Sequence, residues 1–164
     1  MPPALSPSAS VTELTQVVLP NDANPMGFIL GGTVMHLIDI AGAIAASRHA
    51  RAQVVTAAVD GLQFLHPIKV GDLIILRARV TAVFHSSMEV EVEVSSESVF
   101  TGVRQLTSVA YLTFVAFASD GAKPTVPPLL LDNDGDRAKA AQAERRRVGR
   151  LAARQAIRES EKRR

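Results

Sequence analysis

The chain has 164 residues but no cysteine, no tryptophan and a single tyrosine. Without cysteine there can be no disulfide, no zinc–thiolate site and no thiol nucleophile. Such scarce aromatics argue against the stacking platforms that bind single-stranded nucleic acid. The four histidines, His36, His49, His66 and His85, never fall at the His-x-x-x-His spacing, which argues against a metal site. No apolar run approaches the roughly eighteen residues that a membrane span needs. The opening MPPALSPSAS lacks the basic start and apolar block of a signal peptide. These absences predict a cytoplasmic protein with no metal and no membrane partner.

What is present is globular: 47% hydrophobic and 21% charged residues, long enough for one domain and a tail. The net charge of +2 hides a division. Residues 137–164 hold eleven Lys or Arg against three Glu, whereas residues 1–136 hold seven basic and thirteen acidic groups. The basicity therefore belongs to the tail, not to the body. Composition divides the chain into a Pro/Ser leader (1–9), a folded body (10–118), a Pro/Gly/Asp linker (119–136) and a basic helix or tail (137–164). That last helix has few large apolars, Val148, Leu151 and Ile157, and is expected to pack weakly or not at all.

Within the body, SVTELTQVVL (10–19) alternates as a strand does, and PNDANPMG reads as a loop. From Gly31 to about Arg48 the apolar and small residues run almost all round a helix, so most of its sides should be covered. Strands follow at 54–65, 73–84, 88–94 and 104–117, with Glu89, Glu91 and Glu93 on one face of the third and valines on the other. The pattern predicts an α+β fold in which an antiparallel sheet covers one central helix. One sheet covers only one side of that helix, and the side left over predicts a dimer.

Asp39 stands in the middle of this helix, in HLIDIAGAIAA. A wrapped helix would desolvate it and raise its pKa, as suits a base or nucleophile; otherwise it faces solvent or pairs with a neighbouring strand. Gly31 and Gly32 open the helix, where free backbone N–H groups and the positive dipole end suit an oxygen gaining negative charge. The same pair also permits a sharp turn into the helix. Asn24, in the preceding loop, either orients a water or carbonyl or holds its own loop.

Together these residues form NDANPMGFILGGTVMHLIDIAGAIAA, which resembles the hot-dog-fold acyl-CoA thioesterases, the group with YciA-like and brain-type acyl-CoA hydrolases. The family pattern is met by Asn24, Gly27, Gly31, Gly32, Met35, Asp39 and the small residues from Ala41 to Ala46. The likeness continues through 54–72, 84–94 and 110–129. It implies a hot-dog fold paired into a double hot dog, with larger assemblies, often trimers of dimers. It implies hydrolysis of acyl-CoA to a carboxylic acid and coenzyme A, with no cofactor beyond the coenzyme A of the substrate. On this chain Asp39 would be general base or nucleophile, and Asn24 would position the water or carbonyl. Gly31 and Gly32 would form the oxyanion site, with Asn24 from one subunit facing Asp39 of the other. Ser86 and Ser87 lie in the hairpin that approaches coenzyme A in the family. His85 departs from the small or basic residue common there.

His36, one turn before Asp39, is read as structural, and Asp60 as a turn or interface carboxylate. A hot-dog dehydratase or isomerase would need a histidine motif that NDANPMG lacks. The competing class is an acyl-CoA-binding sensor whose basic tail, with 145-RRR-147 and 162-KRR-164, touches nucleic acid or an anionic surface. A basic run is more often a solvated face, so the enzyme is the expectation and a nucleic-acid partner is not.

Overall fold

The alternating segments build five strands: β1 (Thr12–Val17), β2 (Gln53–Phe64), β3 (Leu73–Val83), β4 (Ser87–Glu97) and β5 (Arg104–Phe117). In the computed structural model, which describes residues 2–163, they form one antiparallel sheet in the order β1-β3-β4-β5-β2. The long helix α1 (Gly31–Ala50) lies along the inner face, and a second helix, α2 (Asp134–Glu161), crosses the outer face. Residue 1 of the leader and residue 164 of the tail lie outside the described residues.

Helix α1 seats Val34, Ile38, Ala41 and Ala45 on the inward valines of β4 (Val90, Val92, Val94) and on Leu112 and Phe114 of β5. The small residues let helix and sheet come close. A Cβ added to Gly42 would stand 3.0 Å from the Phe114 ring, so glycine is what this approach admits. The helix ends at Arg51 in the left-handed region (φ 52°), whose N–H donates to the Ser47 carbonyl. As the sequence predicts, one side stays open. Met35, His36, Asp39 and Ile40 are exposed, beside the exposed Val55, Thr56 and Val59 of edge strand β2.

The outer face departs from expectation. Glu89 and Glu91, on the face opposite the valines, are buried, and the basic helix is the reason. Arg146 makes two hydrogen bonds to Glu89, at 2.9 and 2.8 Å, and its guanidinium lies 3.6 Å from the centroid of the Tyr111 ring. Lys139 donates to both oxygens of Glu91 (2.7 and 2.6 Å), and Arg150 to Asp60 of β2 (2.5 Å). Burial, and then the Glu91 charge, push the Tyr111 phenol above its ordinary value, while Arg146 acts against them.

The first half of the basic helix is therefore docked, because its cations neutralise acids that the sheet presents outward. Apolar residues do little of it: Ala143 is the one buried side chain of α2 among the described residues. Asn133 caps the helix, accepting from the Asp136 N–H at 2.9 Å, and Asp134 and Asp136 sit at its positive end. The second half, 151–161, is exposed throughout. The leader is docked too: the Leu5 N–H donates to the Pro128 carbonyl and the Leu130 N–H to the Leu5 carbonyl.

Candidate active site

Two Pro/Gly-rich turns bring the helix entrance against the far ends of β2 and β5. Gly27, with φ +83°, closes a turn in which its N–H donates to the Asn24 carbonyl and its own carbonyl accepts from Val70. The Asn24 side-chain oxygen accepts from the N–H groups of Met26 (3.0 Å) and Phe28 (3.2 Å). Asn24 thus holds its own loop, one of the two roles weighed from sequence. Its oxygen being occupied, its amide N–H groups are what it has left to offer.

Asn24 and Gly31 line a cavity of about 370 Å³, whose apolar wall includes Met26, Phe28, Val34 and Phe64. Helix α1 begins here at Gly31, after Leu30, and no side chain caps it. Its first N–H groups and positive dipole end are therefore open to a ligand. The Phe64 ring stands against Gly31, 3.4 Å from where a Cβ would lie.

Asp39 is two turns further on. It is exposed in the single chain rather than desolvated among apolar neighbours, the second of the two readings that the sequence left open. The helix is apolar on nearly all sides, but its own sheet covers only one of them. Asp39 is nonetheless held: the Thr56 hydroxyl on β2 donates to its Oδ1 at 2.5 Å. Sequence reading missed Thr56, since threonine in a strand is what β-propensity alone would place there.

Gly32 and Asp39 are seven residues apart on one helix, about 10 Å along its axis, so one chain cannot bring both to one carbonyl. Ser86 and Ser87 are further off. Ser87 pairs with Val115 near the end of β5, whereas Ser108 of the same strand lines the cavity. Seven residues of strand separate them, roughly 24 Å. Within one chain, Ser86 and Ser87 do not approach the cavity that Asn24 lines.

His36 is exposed, and Asp60 is taken up by Arg150. His49 is buried, with its Nε2 2.8 Å from the Pro127 carbonyl. Burial, the larger effect, lowers its pKa, and the Pro127 hydrogen bond partly offsets this. Its Nδ1 is buried without a partner, as suits a neutral ring donating from Nε2. No group of metal-ligating side chains occurs among the described residues.

Residues 26–100 match the family model described as the thioesterase superfamily. An uncharacterized acyl-CoA thioester hydrolase of Bacillus subtilis, YkhA, is 41% identical over 120 residues, covering 73% of this chain and 70% of that protein. The mammalian acetyl-coenzyme A thioesterases that match are longer; the chain spans 25% of the mouse protein. Among solved structures, an acyl-CoA hydrolase of Staphylococcus aureus, in complex with butyryl coenzyme A, coenzyme A and coenzyme A disulfide, superposes with a TM-score of 0.89. It is 37% identical and covers 96% of each chain. An apo-hexameric acyl-CoA thioesterase gives 0.88 at 35% identity, covering 92% of this chain and 97% of that one. Three further structures of the staphylococcal enzyme carry alanine in place of one asparagine, one aspartate and one threonine. Those positions are 15 and 17 residues apart in that chain, the spacings of Asn24, Asp39 and Thr56 here.

Proposed function

We propose that this chain, which belongs to the thioesterase superfamily, is an enzyme that hydrolyses acyl-CoA thioesters to a carboxylic acid and coenzyme A. The observation that carries the reading is Asp39, held by Thr56 on an exposed apolar stripe of α1, two turns from an uncapped helix entrance. A second copy laid on that stripe brings its own Gly32 and Asn24 opposite Asp39. The base and the oxyanion site, about 10 Å apart on one helix, then meet on one substrate across the interface. Pairing of edge strand β2 with its copy continues the sheet and gives a double hot dog. Assembly into a trimer of dimers is in keeping with the hexameric neighbour, and a cytoplasmic location with the human relative named cytosolic.

In this reading the Thr56 hydrogen bond occupies Oδ1 of Asp39, and Oδ2 takes a proton from water as its oxygen attacks the thioester carbonyl. The carbonyl oxygen gains the negative charge, and the backbone N–H at Gly32, helped by the dipole of α1, stabilises it. The free amide N–H of Asn24 can donate to the carbonyl oxygen or to the oxygen of the water. Collapse breaks the carbon–sulfur bond, and the proton held by Asp39 passes to the departing sulfur. Thiolate leaves readily, so this chemistry asks for no metal.

The test is thiol release from short, long and aromatic acyl-CoAs by wild type and by Asp39→Asn, which keeps the size and removes the base. Wild type should turn over at least one substrate, and the variant should stay folded while losing about a hundredfold or more in rate. If both proteins bind acyl-CoA and neither hydrolyses any, the chain is a binding protein and the reading is wrong.

A further inference from the structure

Helix α2 is longer than the sheet it crosses. It meets β3 through its acid Asp136, which pairs with Arg79, then β4 through Lys139 on Glu91 and Arg146 on Glu89, and last the edge strand β2 at Asp60, reached by Arg150. Beyond Arg150 the helix runs on for eleven residues, 151–161, all of them exposed. That overrun is about 16 Å, more than three strand spacings of ~4.8 Å. Among the described residues, no side-chain hydrogen bond or ion pair joins it to another element of its own chain.

We propose that this overrun is a strap that crosses the β2 edge and lies against α2 of a second copy of this chain. The inference rests on the double-hot-dog reading, in which β2 pairs with its copy and the sheet continues under the overrun. The copy's own α2 already covers that part of the sheet, so the two helices run antiparallel, side by side, across the two-fold axis. Such an interface must be self-complementary, and α2 carries a matching pattern. Glu144, Leu151 and Arg158 stand seven residues apart, on one stripe of the helix. A two-fold axis at Leu151 sets leucine on leucine and Glu144 of each chain opposite Arg158 of the other.

Their intrachain contacts leave these groups available. Among the described residues Glu144 forms an ion pair only with Arg147, at 3.5 Å, and its side chain is 55% exposed. Arg158 has no side-chain partner among the described residues. Leu151, Arg154, Gln155 and Arg158 share one exposed face of the helix.

The experiment is subunit exchange between two differently tagged pools of the full-length protein, with oligomer mass and acyl-CoA hydrolysis measured on the same samples. Arg158→Glu sets like charges against each other twice and should speed exchange between dimer halves by about tenfold. Glu144→Arg should do the same. The double swap Glu144→Arg/Arg158→Glu restores both pairs in reversed polarity and should bring exchange back near the wild-type rate. Single variants that exchange like wild type overturn the strap, as does a double swap no better than the singles. Loss of a hexamer with dimer exchange unchanged overturns it too, since the overrun would then bridge dimers. A monomeric wild type removes both the strap and the interfacial active site. A wild type that hydrolyses nothing, yet shows the swap pattern, leaves the strap standing and ends the enzymatic reading alone.

Discussion

Against the inner face of the sheet, α1 lies on Ile38, Ala41 and Ala45, fitted to valine, leucine and phenylalanine. Against the outer face, α2 buries one alanine and is held by Lys139, Arg146 and Arg150 on three acids of the sheet. Apolar burial is strong but without direction, so α1 depends on shape to find its place. Charge pairs are directional, and each leaves a costly orphan when broken, so α2 is fixed residue by residue. The proposed chemistry falls on the shape-fitted side, where the helix keeps an open stripe that carries Asp39.

The largest effect that would break this comparison is on the outer face. Arg146→Met leaves Glu89 buried without its partner and should cost about 3–5 kcal/mol in urea unfolding. Adding Glu89→Leu should recover most of that, because a matched apolar pair replaces a buried charge pair at little net cost. A single variant of near-wild-type stability would mean that the acids hold nothing.

On the inner face, Ile38→Ala should cost about 2–5 kcal/mol through lost burial and the cavity left behind. Its cost should be the same in low and high salt, and a marked salt dependence would blur the distinction between the two faces. Thr56→Val is subtler. It removes the one hydrogen bond that holds Oδ1 of Asp39, so kcat should fall by roughly tenfold or more. Circular dichroism should still show the wild-type fold, so that the loss of rate is read on folded protein.

The smallest effect concerns pH. His49 is held below the ordinary histidine value of 6.5, so the folded state binds its proton less readily than the unfolded chain. Stability should therefore fall as pH drops below about 6.5, level off once the folded ring is also protonated, and be insensitive to His49 above that range. His49→Gln should flatten this part of the profile in urea titrations between pH 5 and about 7.

How much of this was legible in the sequence follows from the range of the signal. Strands β1 and β4 declare themselves by alternation and helix α1 by a long run of apolar and small residues, and the observed bounds of all five strands and α1 lie within a few residues of those predicted. The docking of α2 does not, because Arg150 and Asp60 are 90 residues apart and a charge pair leaves no periodic trace. Glu89 and Glu91 read correctly as one face of β4, yet alternation says nothing of what covers that face. Asn24, Gly31 and Gly32 could be placed at the helix entrance, since loop and glycine chemistry is local. The exposure of Asp39 could not, because a helix apolar on all sides does not say which of them its own chain will cover.

Gly42 meets the Phe114 ring so closely that any side chain there would press on it. Gly42 is three residues beyond Asp39, on the same rigid rod. The contact acts as a keyway that stops the rod from sliding along the sheet or lifting off it. Wherever Phe114 stops Gly42, the carboxylate a turn earlier is stopped too. A misplacement of about 1 Å can cost a hundredfold in rate, so in the proposed enzyme the placing of the base is set by a phenyl ring of the sheet.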